Sequence, residues 1–173
     1  MAGIFAWVTE VEGRVPNHFK VELNFPEFFV AKLGATKVLW EMGELTMSEV
    51  QQVGIAISQA NGCKYCTAAF CTIWNFGLGT SIGEVQELLT AGPSCRESER
   101  EKAMLNYALK VNQDAGSISD ADIHALRGVG FGEKGILQIT HLVSDFSSYN
   151  TLNLALDTEY DYDAIWKATD HIS

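Results

Sequence analysis

The stretch LTMSEVQQVGIAISQANGCKYC, residues 45–66, decides how the chain folds. Thr46-Met47-Ser48-Glu49 has the form of a capping box, in which the threonine hydroxyl accepts from the third helical amide and the glutamate reaches back. Val50, Val53, Ile57 and Ala60 follow at the spacing of one helical face. Asn61-Gly62 breaks that helix, and Cys63-Lys64-Tyr65-Cys66 opens another. The first cysteine therefore stands at a helix start and the second one turn in. Free amides and the positive end of the helix dipole favour a thiolate there. Two thiols at this spacing can also close to a disulfide, the minimum equipment for a two-electron redox cycle.

The same devices recur outward along the chain. Ser81-Ile82-Gly83-Glu84 and Ser94-Cys95-Arg96-Glu97 predict two more capping boxes, and Ser119 with Asp122 a weaker one. Pro26 suits the first position of a helix running to about Met42, with Gly43 as its stop. Met104, Leu105, Ala108 and Leu109 form another helical row. The longest segment runs from about Glu133 to Leu156. Its apolar residues, among them Ile136, Ile139, Leu142, Phe146, Tyr149 and Leu152, exceed one stripe, so it is buried on several sides or lies in a subunit interface. The breakers Pro16 and Pro26 mark residues 1–25 as an irregular N-terminal arm. Only Ile4 to Val11 hints at β-alternation. The expectation is one all-α helical-bundle domain of about seven helices over residues 26–173.

Composition narrows the function. A chain of 173 residues with 47% hydrophobic side chains can bury a core without disulfides or metal. Twelve basic against 22 acidic residues give a net charge of −10, which repels phosphate backbones and anionic lipid. Nucleic acid and membranes are therefore not expected partners. Met1 to Glu10 carries no signal-peptide pattern, so a cytoplasmic location is expected, where four cysteines read as chemical rather than structural. CxxC could be half of a zinc site, but four ligands are needed and no second CxxC or paired histidine follows. The pair could also be small buried hydrophobes. No cofactor and no metal are expected.

The segment from Leu45 to Ala69, with Asn61-Gly62-Cys63-Lys64-Tyr65-Cys66 at its centre, resembles the core of the alkylhydroperoxidase D and carboxymuconolactone decarboxylase superfamily. Glu99 to Ala108, Ser119 to Asp122 and Gly130 to Glu133 extend the likeness, which covers about residues 26 to 156 and is nearest to the peroxidase-related branch. The resemblance implies an AhpD-like all-α fold, a homo-oligomer (dimer, trimer or hexamer) and thiol-based peroxide reduction. It implies that Cys66 attacks the peroxide and that Cys63 serves as proton donor and resolving thiol, with an unknown dithiol as reductant.

Two positions depart from the family pattern. Where a histidine follows the second cysteine by four residues the chain has Phe70, and where a glutamate precedes the first cysteine by twelve it has Gln51. Neither can take a proton at neutral pH, so the family's relay is broken. His141 and Asp145 share a helix face with Gln138 and could substitute, and Lys64 inside the CxxC loop could stabilise a thiolate. The alternatives to a slow peroxidase are a decarboxylase-branch lyase acting on a small acid, which the CxxC disfavours, and a non-catalytic redox-sensing or assembly protein.

Overall fold

The computed structural model describes residues 6, 8–10 and 13–162. Every regular element among them is helical. In chain order these are α1 (Asn17–Glu22), α2 (Pro26–Glu41), α3 (Met47–Ala60), α4 (Lys64–Thr72), α5 (Ile82–Ala91), α6 (Glu99–Asp114), α7 (Asp120–Gly128) and α8 (Glu133–Ala155). A π-helical turn follows α4 at Ile73–Gly77, and 3₁₀ turns occupy Gly92–Cys95 and Ala115–Ser117. The all-α expectation holds. Seven of these helices follow residue 25, as expected, while the arm expected to be irregular holds helical residues 6 and 8–10 and the helix α1. Extended Pro16 leads into it, needing no amide partner at a helix start, and Phe19 buries there against Phe29 with ring centroids 5.4 Å apart. Of the stretch Ile4 to Val11 that hinted at β-alternation, residues 6 and 8–10 are described and are helical; residues 4, 5, 7 and 11 lie outside the described residues.

Three of the four predicted capping boxes form. Glu49 accepts from the Thr46 amide at 2.8 Å, Glu84 from that of Ser81 at 3.2 Å, and Asp122 from that of Ser119 at 2.8 Å. Ser94 does not cap a helix. It sits in the 3₁₀ turn Gly92–Cys95, its hydroxyl donates to the Ala91 carbonyl, and Ser98, four residues later, caps α6. Proline at position 93 favours that turn by fixing φ.

Helix α3 is the centre of the molecule. Its residues from Glu49 to Ser58 are all buried, polar ones included, beneath α4, α8 and α6. Helix α8 packs on α3, α6, α4 and α2 of the same chain. Most of its apolar surface is thereby covered without a second subunit; Leu137 and Leu154 remain exposed. Gln138 was expected on a polar face with His141. Instead it is buried, accepting the Glu44 and Leu45 amides at 2.7 and 2.9 Å and donating to the Leu39 carbonyl at 2.6 Å. Those bonds satisfy backbone groups left free where α2 ends. Gly43 makes room for this, since a Cβ there would collide with the Gln138 amide.

Candidate active site

The turn between α3 and α4 builds the site. Gly62 takes φ +69°, the left-handed conformation that glycine adopts without a Cβ penalty. The Cys63 amide then donates to the Ser58 carbonyl and the Gly62 amide to Gln59, the two bonds of a Schellman ending. Helix α3 stops there, and Cys63 becomes the N-cap of α4, its sulfur accepting the Cys66 amide at 3.4 Å. The sequence placed both cysteines this way.

Both thiols are reduced and nearly out of solvent, with 1% and 4% exposure for Cys63 and Cys66. Their surroundings push them apart. The hydrogen bond from the Cys66 thiol lowers Cys63 to about 7, against the opposing cost of burial, with further help from the Cys66 amide and Asn150. Cys66 is pushed well up, first because it donates to Cys63 and second because it is buried. Of the two sulfurs, Cys63 is thus the one whose surroundings favour the thiolate. Asn153 on α8 donates to the Cys66 sulfur at 3.2 Å. Asn150 donates to Ser58 at 3.0 Å and accepts from Asn61 at 2.9 Å, so α8 is pinned to the turn that carries the thiols.

The two sulfurs face different spaces. Cys66 borders a cavity of about 50 Å³ whose walls, mostly carbon, include His18, Thr36, Trp40, Phe70 and Tyr149. Cys63 borders a cleft of about 290 Å³ formed with Lys64, Asn153, Asp157, Thr158 and Tyr160. Since one water needs roughly 10–15 Å³ of such space, the first has room for a small molecule or the head of a larger one, and the second for something bulkier.

The architecture matches known structures closely. An uncharacterized peroxidase-related protein from Silicibacter sp. TM1040 superposes with a TM-score of 0.83 at 23% identity, over 91% of this chain and 82% of that one. An alkylhydroperoxidase AhpD core, a peroxidase-related protein from Ralstonia eutropha JMP134, gives 0.82 at 26% identity over 91% and 83%. The chain has the AhpD fold. A cysteine-to-alanine variant of the debrominase Bmp8, in complex with 2,3,4-tribromopyrrole, superposes on the same fold with a TM-score of 0.82 at 20% identity, over 99% and 90%. No family model and no curated protein matches the sequence.

Within this AhpD fold the two departing positions lie on the contact between α3 and α4. Phe70 lines the Cys66 cavity, and its ring lies over Gly54, where a Cβ would be 2.5 Å from it. Gln51, one turn before Gly54, is fully buried; its amide donates to the Met47 sulfur at 3.4 Å and its Oε1 has no partner. The structure does not bring His141 to the thiols. It is exposed beside Leu137 and Lys134, and it precedes Asn150 and Asn153 by nine and twelve residues, about 13 and 18 Å along a helix. Asp145 parts from it, accepting at 2.8 Å from Thr36, which lines the Cys66 cavity. Lys64 is exposed, its ammonium 5.4 Å from the Tyr160 ring centre.

Sequence reasoning missed His18, Asn150 and Asn153. His18 is buried, its Nε2 unpartnered, and burial followed by the charge of Lys32 lowers it to about 3, so it is a neutral imidazole. Tyr65 of the CxxC loop holds it: the phenol accepts the His18 amide at 3.0 Å and donates to Asp161 at 2.9 Å. The asparagines had a faint signal, two amides three apart in a helix otherwise apolar on that face. Among the described residues no three His, Cys, Asp or Glu side chains gather as metal ligands, and no helix is long and apolar enough to cross a membrane.

Proposed function

We propose that the protein is a thiol-dependent alkyl hydroperoxide reductase with Cys66 and Cys63 as its dithiol. The observation that carries the reading is the pair of free thiols at the start of α4, hydrogen-bonded to each other, with Cys66 on an apolar cavity. Cys63 takes the Cys66 proton, and the Cys66 thiolate attacks the terminal oxygen of the hydroperoxide. The O–O bond breaks, an S–O bond forms, and two electrons pass from sulfur, leaving a sulfenic acid and an alkoxide that needs a proton. The Cys63 thiol then attacks the sulfenic sulfur, giving a Cys63–Cys66 disulfide and water. A dithiol reductant entering by the Cys63 cleft returns the pair to thiols. Asn153 supports the reading, because its N–H favours charge on the Cys66 sulfur.

With Gln51 and Phe70 at the relay positions, turnover is slow; positioned acid–base groups are worth roughly 10²–10⁴-fold. The protein works in the cytoplasm as a homo-oligomer, without nucleic acid or membrane. The test is consumption of cumene hydroperoxide with dithiothreitol, and mass spectrometry of the protein oxidised by one equivalent of peroxide. A Cys63–Cys66 bridge, and loss of turnover in Cys66→Ser and Cys63→Ser, are expected. Bridges to Cys71 or Cys95 instead, or thiols that survive peroxide, sink the reading. In folded protein, Phe70→His with Gln51→Glu is expected to raise kcat/KM. A bridge that forms without turnover would favour the sensor alternative.

A second reading is reductive dehalogenation, which the debrominase neighbour and the aromatic walls of the cavity favour. Two thiols can convert an aryl bromide to arene, bromide and a proton while becoming a disulfide. Bromide release from a bromopyrrole, matched by Cys63–Cys66 bridge formation, would select it.

A further inference from the structure

We propose that Tyr149 is the acid that protonates the departing alkoxide, and that Thr36 and Asp145 form the wire that reloads it. This rests on the peroxide reading above. Attack by Cys66 leaves an alkoxide in a space walled by carbon, where an unpartnered charge is costly. The family's proton relay cannot help, since Phe70 occupies one of its positions. Tyr149 lines the same cavity as Cys66, and so does Thr36. The Tyr149 hydroxyl lies 3.0 Å from Thr36 Oγ1, which lies 2.8 Å from Asp145 Oδ2. Thr36 is 2% exposed and Tyr149 6%, while Asp145 is only half-buried, so the chain of hydroxyls leads from the cavity to a group that solvent reaches.

The charges agree with this role. Burial, then the neighbouring Asp145, pushes the Tyr149 phenol up, so it is loaded at neutral pH. Burial also lifts the Asp145 carboxyl, against Thr36 and Lys32, which lower it. The other ionisable groups facing the wire are Lys32, 3.5 Å from the Tyr149 ring centre, its partner Glu22 at 3.6 Å, His18 and Cys66 itself. With Asp145 charged, Thr36 donates to it and Tyr149 donates to Thr36. Once Asp145 takes a proton both bonds can reverse, and the phenol proton is free to point into the cavity. When the O–O bond breaks, the alkoxide takes that proton, the Thr36 proton moves to Tyr149 and the Asp145 proton to Thr36. Solvent then reprotonates the carboxylate. His18 Nε2 has no hydrogen-bond partner, so a proton given from it has no such route back.

The experiment compares leaving groups. Oxidation of the reduced protein in a single turnover is followed with tert-butyl hydroperoxide, whose alkoxide needs a proton, and with peracetic acid, whose acetate does not. Tyr149→Phe keeps the ring, and is expected to slow the hydroperoxide about 100-fold and the peracid less than about threefold. In repeated turnover of the hydroperoxide with dithiothreitol, where the phenol must be reloaded each cycle, Thr36→Val should behave like Tyr149→Phe, and Thr36→Ser, which keeps the hydroxyl, like the wild type. Equal losses of Tyr149→Phe with both oxidants, or a Thr36→Val variant at the wild-type rate in repeated turnover, would overturn the wire and leave the peroxidase intact. Wild-type protein no faster than free dithiothreitol with either oxidant would overturn the peroxidase reading and the wire with it.

Discussion

At the scale of residues, one hydrogen bond between two sulfurs sets the chemistry. The Cys66 thiol is the largest reason that Cys63 titrates near 7, below an ordinary thiol. Thiolate absorbance should therefore rise through about pH 7 in the wild type, and Cys66→Ala should move that midpoint upward by removing the donor. An unmoved midpoint would assign the charge to the helix terminus alone. His18 gives a second residue-scale prediction. Its folded pKa of about 3 lies below the unfolded 6.5, so below pH 6.5 the unfolded chain binds a proton that the folded one refuses. Stability is full above pH 6.5 and falls toward pH 3, by about 1.4 kcal/mol per unit. Urea unfolding at pH 6.5 and 4.5 should show that slope, and His18→Phe should flatten it. A variant as acid-sensitive as the wild type would mean that another group carries the effect. Cys63 and Cys66 were legible because spacing and a helix start are local. His18 was not, because Tyr65 and Asp161 bring it to the site from 47 residues upstream of the former.

Among the elements, the contact between α3 and α4 fixes where the thiols point. The apolar row on α3 was legible as a helix, but its full burial was not, since periodicity shows one face and α4, α6 and α8 cover the rest. The same blindness led the sequence to set His141 and Asp145 together; equal spacing on α8 does not reveal that one faces solvent and the other Thr36. Gly54 tests the contact. Alanine there would gain up to about 1 kcal/mol of helix propensity, but its Cβ meets the Phe70 ring at 2.5 Å. Overpacking of this kind costs about 1–3 kcal/mol, so Gly54→Ala should destabilise. In a Phe70→Leu background, with the ring gone, the same change should cost less or stabilise. Chemical denaturation of the four proteins gives the cycle, and equal costs in both backgrounds would show that the ring is not the obstacle.

For the molecule as a whole, the open matter is what covers its apolar outside. Of the two coverings the sequence allowed the long helix, its own chain or a second subunit, the first accounts for most of it, through α2, α3, α4 and α6. Large apolar side chains left uncovered lie along α2. Phe25 and Phe28 beside and on it are 62% and 53% exposed and stack with ring centres 5.7 Å apart; Val38 and Met42 farther along are 53% and 63% exposed. At its C-terminal end α2 meets exposed Leu137 of α8 across a groove of about 130 Å³. Large apolar side chains gathered in this way mark interaction surfaces. A second copy is the partner that brings the same face, and closed symmetry lets one patch cover itself. Size exclusion with light scattering should find a dimer, trimer or hexamer, and Met42→Glu with Leu137→Glu should shift it toward monomer by setting like charges on the groove. A wild-type monomer of 19.0 kDa at micromolar concentration would refute assembly. An oligomer indifferent to the double substitution would place the interface elsewhere, with Phe25 and Phe28 the next residues to charge.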